Sequence, residues 1–185
     1  SDSEFKYKYQ AYGNAWSTTN SLNTARRNLS GAGTQTSALA FGGGGPPYEA
    51  VTESWNGSSW TEVNDLNTAR RLASGCGADN TSALSIGGDT PPVTANTESW
   101  NGTNWTEVNN LNTARRQLAA AGVVPSALAF GGENPGTTNL DITELWNGTN
   151  WTEVNDLNQA RYNLAGAGAN NTAALAFGGY NTSVG

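Results

Sequence analysis

At 185 residues the chain is long enough for one domain with a packed core and too short for two comfortable ones, and with 23 Gly, 13% charged residues and recurrent Asn and Thr its composition points to an all-β fold rich in turns. Nine basic residues against 15 acidic ones give a net charge of −6 with no basic cluster, which argues against nucleic acid as a partner. The absence of His and the presence of a single Cys remove His-ligated zinc and copper sites, Ser–His and Cys–His nucleophile pairs and an intramolecular disulfide. No window approaches ~18 consecutive apolar residues, so no membrane insertion is expected, and no basic-then-apolar leader opens the chain. With no Met anywhere, Ser1 reads as the start of a processed chain or of a piece of a longer protein.

The first predicted elements are irregular. Phe5, Tyr7 and Tyr9 alternate against Lys6 and Lys8, and residues 4–22 read as two strands, c and d, of an incomplete unit, with Trp16 aligned to Trp60 and Tyr7 to Val51. A repeat then takes over. Asn23-Thr24-Ala25-Arg26 returns as Asn67-Thr68-Ala69-Arg70, Asn112-Thr113-Ala114-Arg115 and Asn158-Gln159-Ala160-Arg161, at spacings of 44, 45 and 46. In the first copy, Gly31 to Thr34 form strand a, small enough to crowd an axis, and Ser37 to Phe41 form strand b, apolar and buried on both faces. A Gly pair follows in every copy, at Gly42-Gly43, Gly87-Gly88, Gly131-Gly132 and Gly178-Gly179. After a variable loop, Val51 to Trp55 and Trp60 to Asn64 make strands c and d, joined across Asn56-Gly57 by a strong hairpin signal that recurs between Trp100 and Trp105 and between Trp146 and Trp151. The chain stops soon after the fourth strand b.

A four-stranded sheet that cannot bury both faces alone must stack on its copies, and sheets repeated at this period pack around an axis as a β-propeller. The run Ala38-Leu39-Ala40-Phe41-Gly42-Gly43, followed by Trp55 and Trp60, resembles a kelch repeat, although the first aromatic is Trp where Tyr is usual and the period is slightly short. The Trp-Asn-Gly-Thr-Asn-Trp-Thr-Glu-Val wording is also similar to kelch-like proteins of environmental phages and bacterial surfaces. The expected architecture is one propeller over residues 1–185 with four four-stranded blades. Residues 23–66, 67–111 and 112–157 form three blades, and the ring closes where residues 1–22 add strands c and d to strands a and b from 158–185. An open arc that joins another copy is the rival.

Arg26, Arg27, Arg70, Arg71, Arg115, Arg116 and Arg161 are all the Arg in the chain and all precede strand a. The kelch resemblance implies that they line one face around the channel, where they would clamp carboxylates, sulfates or phosphates of a protein or glycan partner. The competing reading is structural, with Glu53, Glu98 and Glu144 neutralising one Arg of each pair. Trp55, Trp100 and Trp146 are candidates for stacking on sugars, while Trp60, Trp105 and Trp151 take the position that packs between blades in the resembling family. Glu62, Glu107, Glu153, Asp65 and Asp156 repeat too faithfully for a hydrolytic pair, which needs unlike environments, so a carboxylate glycoside hydrolase is a remote alternative and no enzyme, metal or cofactor is expected. Asn-x-Ser/Thr triplets recur, and Cys76 takes the place of Ala32, Ala121 and Ala167 in strand a. The loops 44–49, 89–95 and 133–141 vary while their surroundings repeat, which makes Tyr48, Asp89 and Asn134 candidate recognition residues. Together these features suggest a binding or architectural module at the outside of a cell or virion, alone or as a homo-oligomer in a fibre, capsid or surface layer.

Overall fold

The computed structural model describes residues 18–181, and every helix-or-strand element among them is a β-strand. β1 (Ser30–Thr34), β2 (Ser37–Phe41), β3 (Thr52–Trp55) and β4 (Trp60–Val63) form an antiparallel sheet in that order. β5 (Ser74–Asp79), β6 (Ser82–Ile86), β7 (Thr97–Trp100) and β8 (Trp105–Val108) repeat it, as do β9 (Ala119–Val123), β10 (Ser126–Phe130), β11 (Thr143–Trp146) and β12 (Trp151–Val154). β13 (Tyr162–Asn170) and β14 (Ala173–Tyr180) pair as a two-stranded sheet. The predicted strands a to d thus fall within a residue of the observed ones. Tyr7, Trp16 and the strands expected to complete the last sheet lie outside the described residues.

Local chemistry explains the repeated hairpin. The Asn56 Oδ1 accepts the backbone N–H groups of Ser58 and Ser59 at 2.9 and 3.0 Å, and Gly57 takes φ 93°, a left-handed turn conformation that favours Gly. Asn101 and Asn147 hold their hairpins in the same way. Trp55 and Trp60, Trp100 and Trp105, and Trp146 and Trp151 then face one another across the two strands.

The sheets stack through their innermost strands: β1 packs on β5, β5 on β9 and β9 on β13. Small residues make this approach feasible, since a Cβ on Gly75 would stand 2.5 Å from the Gly31 carbonyl oxygen, and one on Gly166 would stand 2.7 Å from that of Ala120. Equivalent residues of all four units line a common axial space, whose outermost section, about 230 Å³, is walled by Asn28, Leu72, Gln117, Asn163 and the leucine or alanine after each. Around that mouth the Leu72 N–H donates to the Asn28 carbonyl at 3.0 Å, Gln117 to Leu72 at 2.8 Å and Asn163 to Gln117 at 2.9 Å.

The Gly pair is the joint between neighbours. The Gly43, Gly88 and Gly132 N–H groups donate to the carbonyls of Arg70, Arg115 and Arg161 at 2.8, 2.9 and 2.8 Å. A Cβ on Gly42, Gly87 or Gly131 would strike those same carbonyl oxygens at 2.6, 2.5 and 2.7 Å. Side chains fill the space between sheets. Leu39, Phe41 and Leu66 pack with Ala83, Trp100 and Trp105, and Leu84, Ile86 and Leu111 pack with Ala127, Ala129, Trp146 and Trp151. A fully buried Leu, Ile or Phe among these contributes about 1.5–3 kcal/mol.

The two ends of the arc do not meet in the same way. Among the described residues nothing lies within 4 Å of a Cβ placed on Gly178, and no bond joins the Asn163 carbonyl to Asn28. Before the first sheet, however, the Asn20 Nδ2 donates to the Ser58 carbonyl at 2.8 Å, as the Asn64 Nδ2 does to the Thr103 carbonyl at 2.9 Å one unit later.

Candidate ligand-binding face

The segments that precede β1, β5, β9 and β13 lie at the same end of the sheets as the loops after β2, β6 and β10, because antiparallel pairing sets Ser30 opposite Phe41 and Phe41 opposite Thr52. All the arginines therefore gather at one face, and they divide into two rows.

The first row is structural. Arg70 and Arg115 are buried, and the Arg26 side chain is almost fully covered. Arg26 pairs with Glu53, Arg70 with Glu98 at 2.6 Å, and Arg115 lies 3.2 Å from Glu144. That third pair is close but off the hydrogen-bonding line, which leaves Glu144 Oε1 and Arg115 Nε without hydrogen-bond partners. Each glutamate also accepts the backbone N–H of the Asn that opens the repeated segment, at 2.7 Å from Asn23, Asn67 and Asn112, and the Asn side chain bonds the same oxygen. A buried carboxylate thus straps Asn-Thr-Ala-Arg across its own sheet. Burial alone would raise the Glu53 carboxyl pKa, yet the hydrogen bonds from Arg26, Asn23 and Thr24 outweigh it and hold the group below its ordinary value. Desolvation pulls the Arg70 and Arg115 pKa values down while Glu98 and Glu144 oppose it. Arg26, Arg70 and Arg115 therefore cannot serve an external ligand in this arrangement, which corrects their place in the expected clamp.

The second row is graded around the axis. Arg71 bonds Asp89 through Nε and Nη2 at 3.2 and 3.1 Å, and its guanidinium carbon sits 4.7 Å from the centre of the Tyr48 ring. The Tyr48 hydroxyl donates to the same Asp89 oxygen at 3.1 Å. Arg116 bonds Glu133 at 2.6 Å and approaches Asp89 at 3.6 Å, and the Glu133 hydrogen bond holds its pKa above the usual arginine value. In the fourth unit the pair becomes Tyr162 and Tyr180, with ring centres 5.9 Å apart. In the first unit Gly44 stands where Asp89 and Glu133 stand. The backbone frame is unchanged, with the Gly44 N–H on the Arg27 carbonyl at 2.7 Å as the Asp89 N–H is on Arg71 at 2.8 Å, but no carboxylate follows. Arg27 is exposed, lies against Gly45, and among the described residues makes no ion pair. The Glu49 methylene lies 2.9 Å from where a Gly44 Cβ would stand.

Sequence reasoning missed this gradation. Its signal is the residue directly after each Gly pair: Asp89, Glu133, then Gly44 and Tyr180. Asp89 is a buried counter-ion for Arg71 and Arg116 and is not a loop contact. Asn134 staples its own loop, accepting the N–H groups of Gly136 and Thr138 at 2.9 Å each. Arg27 is exposed, and Tyr48 is half-buried with its hydroxyl on Asp89 and its ring under Arg71.

The tryptophans are packing. Trp55, Trp100 and Trp146 are buried and donate their indole N–H to the carbonyls of Gln35, Asn80 and Val124, so no face is open to stack on a sugar. Trp105 and Trp151 reach into the preceding sheet, where their Nε1 atoms donate to Thr52 and Thr97 Oγ1 at 3.0 and 3.2 Å. Asp65 and Asp156 accept the N–H groups of Thr52 and Thr143 at 3.0 and 3.1 Å, and Asn110 does the same for Thr97, so the position needs an acceptor and no charge. Burial pushes the Cys76 thiol up to about 12. Among the described residues no group of three or more His, Cys, Asp or Glu is placed to hold a metal ion.

No protein-family profile matches the chain, and no curated protein is detectably similar to it in sequence.

Proposed function

We propose that the chain is a kelch-like four-bladed propeller that works as a non-catalytic recognition module, seating an acidic group of a protein or glycan partner at Arg27 beside Tyr48, at the outside of a cell or virion. One observation carries the reading: in a row where Arg71 and Arg116 each have an acid from their own unit, Arg27 keeps the same backbone frame with its acid replaced by Gly44. A carboxylate or sulfate on a ligand would take the place of the missing side chain, and a charge-assisted bond of this kind is worth roughly 1.5–3 kcal/mol. The loop at 44–49 beside it varies between units and carries Tyr48, which suits a specificity element.

Closure of the ring is part of the same proposal. Phe41 packs edge-on against Trp105 of the next unit at 4.9 Å between ring centres. The corresponding partners at the ends of the arc are Phe177, exposed, and Trp60, less buried than Trp105 and Trp151. Together with the bond from Asn20 to Ser58, these two halves of an unmade contact support closure by the N-terminal segment on β14. The exposed apolar side chains of β14 also favour a second reading, an architectural subunit whose β14 edge is taken by another copy.

Titration of the full chain with a glutamate-rich peptide and with a sulfated oligosaccharide tests the first reading. Arg27→Ala is expected to weaken binding of one of them tenfold or more and to leave thermal stability unchanged, whereas Arg161→Ala should leave affinity alone. Equal affinity of Arg27→Ala and the parent chain for both probes would overturn it.

A further inference from the structure

Beside the second arginine row, the loop after each strand b folds back so that three positions of a unit lie side by side. Arg71 pairs with Asp89 and Asp89 with Val93 in the second unit, and Arg116 pairs with Glu133 and Glu133 with Asn139 in the third, all antiparallel. In the first unit the places belong to Arg27, Gly44 and Tyr48, joined by the Gly44 N–H on the Arg27 carbonyl at 2.7 Å and by the pairing of Gly44 with Tyr48. Residues directly opposite one another in an antiparallel ladder share a face. The middle side chain therefore stands beside its arginine, and it is a carboxylate in two units and missing from the first.

The two carboxylates sit as bound anions do. A single Asp89 oxygen, Oδ2, accepts Arg71 Nε and Nη2 at 3.2 and 3.1 Å and the Tyr48 hydroxyl of the unit before at 3.1 Å, and it lies 3.6 Å from Arg116 Nη1 of the unit after. Donors from three units thus converge on one oxygen. Asp89 is buried, whereas the side chains of Arg71 and Arg116 are 24% and 23% exposed, so the acid is covered and its arginines reach the surface. Glu133 is also buried and takes Arg116 Nη2 at 2.6 Å. On either side of it the buried Arg116 Nε and Asn139 Nδ2 have no hydrogen-bond partner among the described residues, so this carboxylate leaves donors unused.

Resting on the reading of Arg27 as the ligand's arginine, we propose that Asp89 and Glu133 are resident ligands. Each plugs a copy of the site that Gly44 leaves open at Arg27, so these three units take one external acid at one position, and the two plugs set that valence. The residents also define the ligand: a carboxylate on a short methylene stem, as an aspartate or glutamate side chain of a protein partner carries. Removing a plug opens a second site of the same preference, and the larger gain comes at Asp89, where three units supply the donors.

Chemical rescue in the full chain tests this. Asp89→Gly and Glu133→Gly, made separately, recreate the arrangement of the first unit, and each is melted at pH 7 in sodium chloride and at the same ionic strength in the sodium salt of the acid it has lost, acetate for Asp89→Gly and propionate for Glu133→Gly. Each variant is expected to melt lower than the parent in chloride and to regain roughly 4 °C or more, saturably, in its own acid, whereas the parent should not respond. Asp89→Asn keeps the side chain in place and should gain nothing from acetate. Rescue of neither glycine variant, or an equal gain by Asp89→Asn, overturns the plug. A binding measurement separates this from the reading it rests on: Asp89→Gly added to Arg27→Ala should restore binding of the glutamate-rich peptide that Arg27→Ala loses. Lost binding that Asp89→Gly does not restore overturns the plug and leaves Arg27 standing. Unchanged binding by Arg27→Ala overturns the site at Arg27, and the rescue by acetate then decides the plug alone.

Discussion

β2 and β14 carry nearly the same apolar sequence, and they fare differently. Leu39 and Phe41 are 2% and 1% exposed, whereas Leu175 and Phe177 are 63% and 47% exposed. The repeat sequence is therefore insufficient for burial. A strand b becomes core only when strand c of its own sheet flanks it and the next sheet covers it, as β3 and the β5–β8 sheet do for β2. Among the described residues the fourth unit has neither, and its strand b side chains Leu175 and Phe177 are exposed while Leu164 of its strand a is buried against the third unit.

The strap gives the widest separation between the two regions. Glu98→Ala leaves the buried Arg70 without its counter-charge and should cost about 3–5 kcal/mol in urea unfolding. Gln159→Ala, which removes the bond from Arg161 Nη2 in the fourth unit, should cost about 1 kcal/mol. Equal losses would mean that the buried ion pairs do not set the difference.

The Gly joint sharpens the comparison. Gly87→Ala forces a Cβ to 2.5 Å from the Arg115 carbonyl at φ 63°, and a loss of about 2–4 kcal/mol is expected. Gly178 has φ 70° and, among the described residues, nothing within 4 Å of an added Cβ, so Gly178→Ala should cost about 1–2 kcal/mol in an open arc. In a closed ring it should cost as much as Gly87→Ala, which is the expected outcome.

Acid should act on the first sheet through Glu53. The Glu53 pKa is lower in the folded chain than in the unfolded one, where carboxyls titrate near about 4.3. Its contribution is fully present above that value and is lost as pH falls through the folded pKa, because the unfolded state binds the proton more readily. Unfolding monitored by Trp fluorescence between pH 6 and pH 2 should show Glu53→Gln losing the acid-dependent part of its stability. The smallest effect expected is at Cys76: its buried, protonated thiol should stay unalkylated by iodoacetamide at pH 8 until the chain is unfolded, when it should react completely.

Much of this fold was legible because the signals were local and repeated. Asn-Gly between two tryptophans marks a hairpin, and Gly and Ala in strand a mark an axis where backbones nearly touch. The Glu–Arg strap was legible as an alternative, since Glu53, Glu98 and Glu144 recur in step with the arginines. Less legible were relations that cross between units. That Thr52 and Thr97 accept indole N–H groups from the next sheet, and that Asp89 serves two arginines, depends on which surfaces the stacking brings together. The distinctive state of Arg27 lies in an absence, Gly44 in the place of an acid, and it becomes visible only when the four units are laid over one another.

The most direct test of a ring closed on its own N-terminal segment is residue-resolved amide hydrogen exchange across β14 in the full chain. An inner strand bonds on both sides, so a closed ring predicts slow exchange at every consecutive amide from Ala174 to Phe177, matching β2, β6 and β10. Protection at alternate residues only, the pattern of an edge strand bonded to β13 alone, would contradict it.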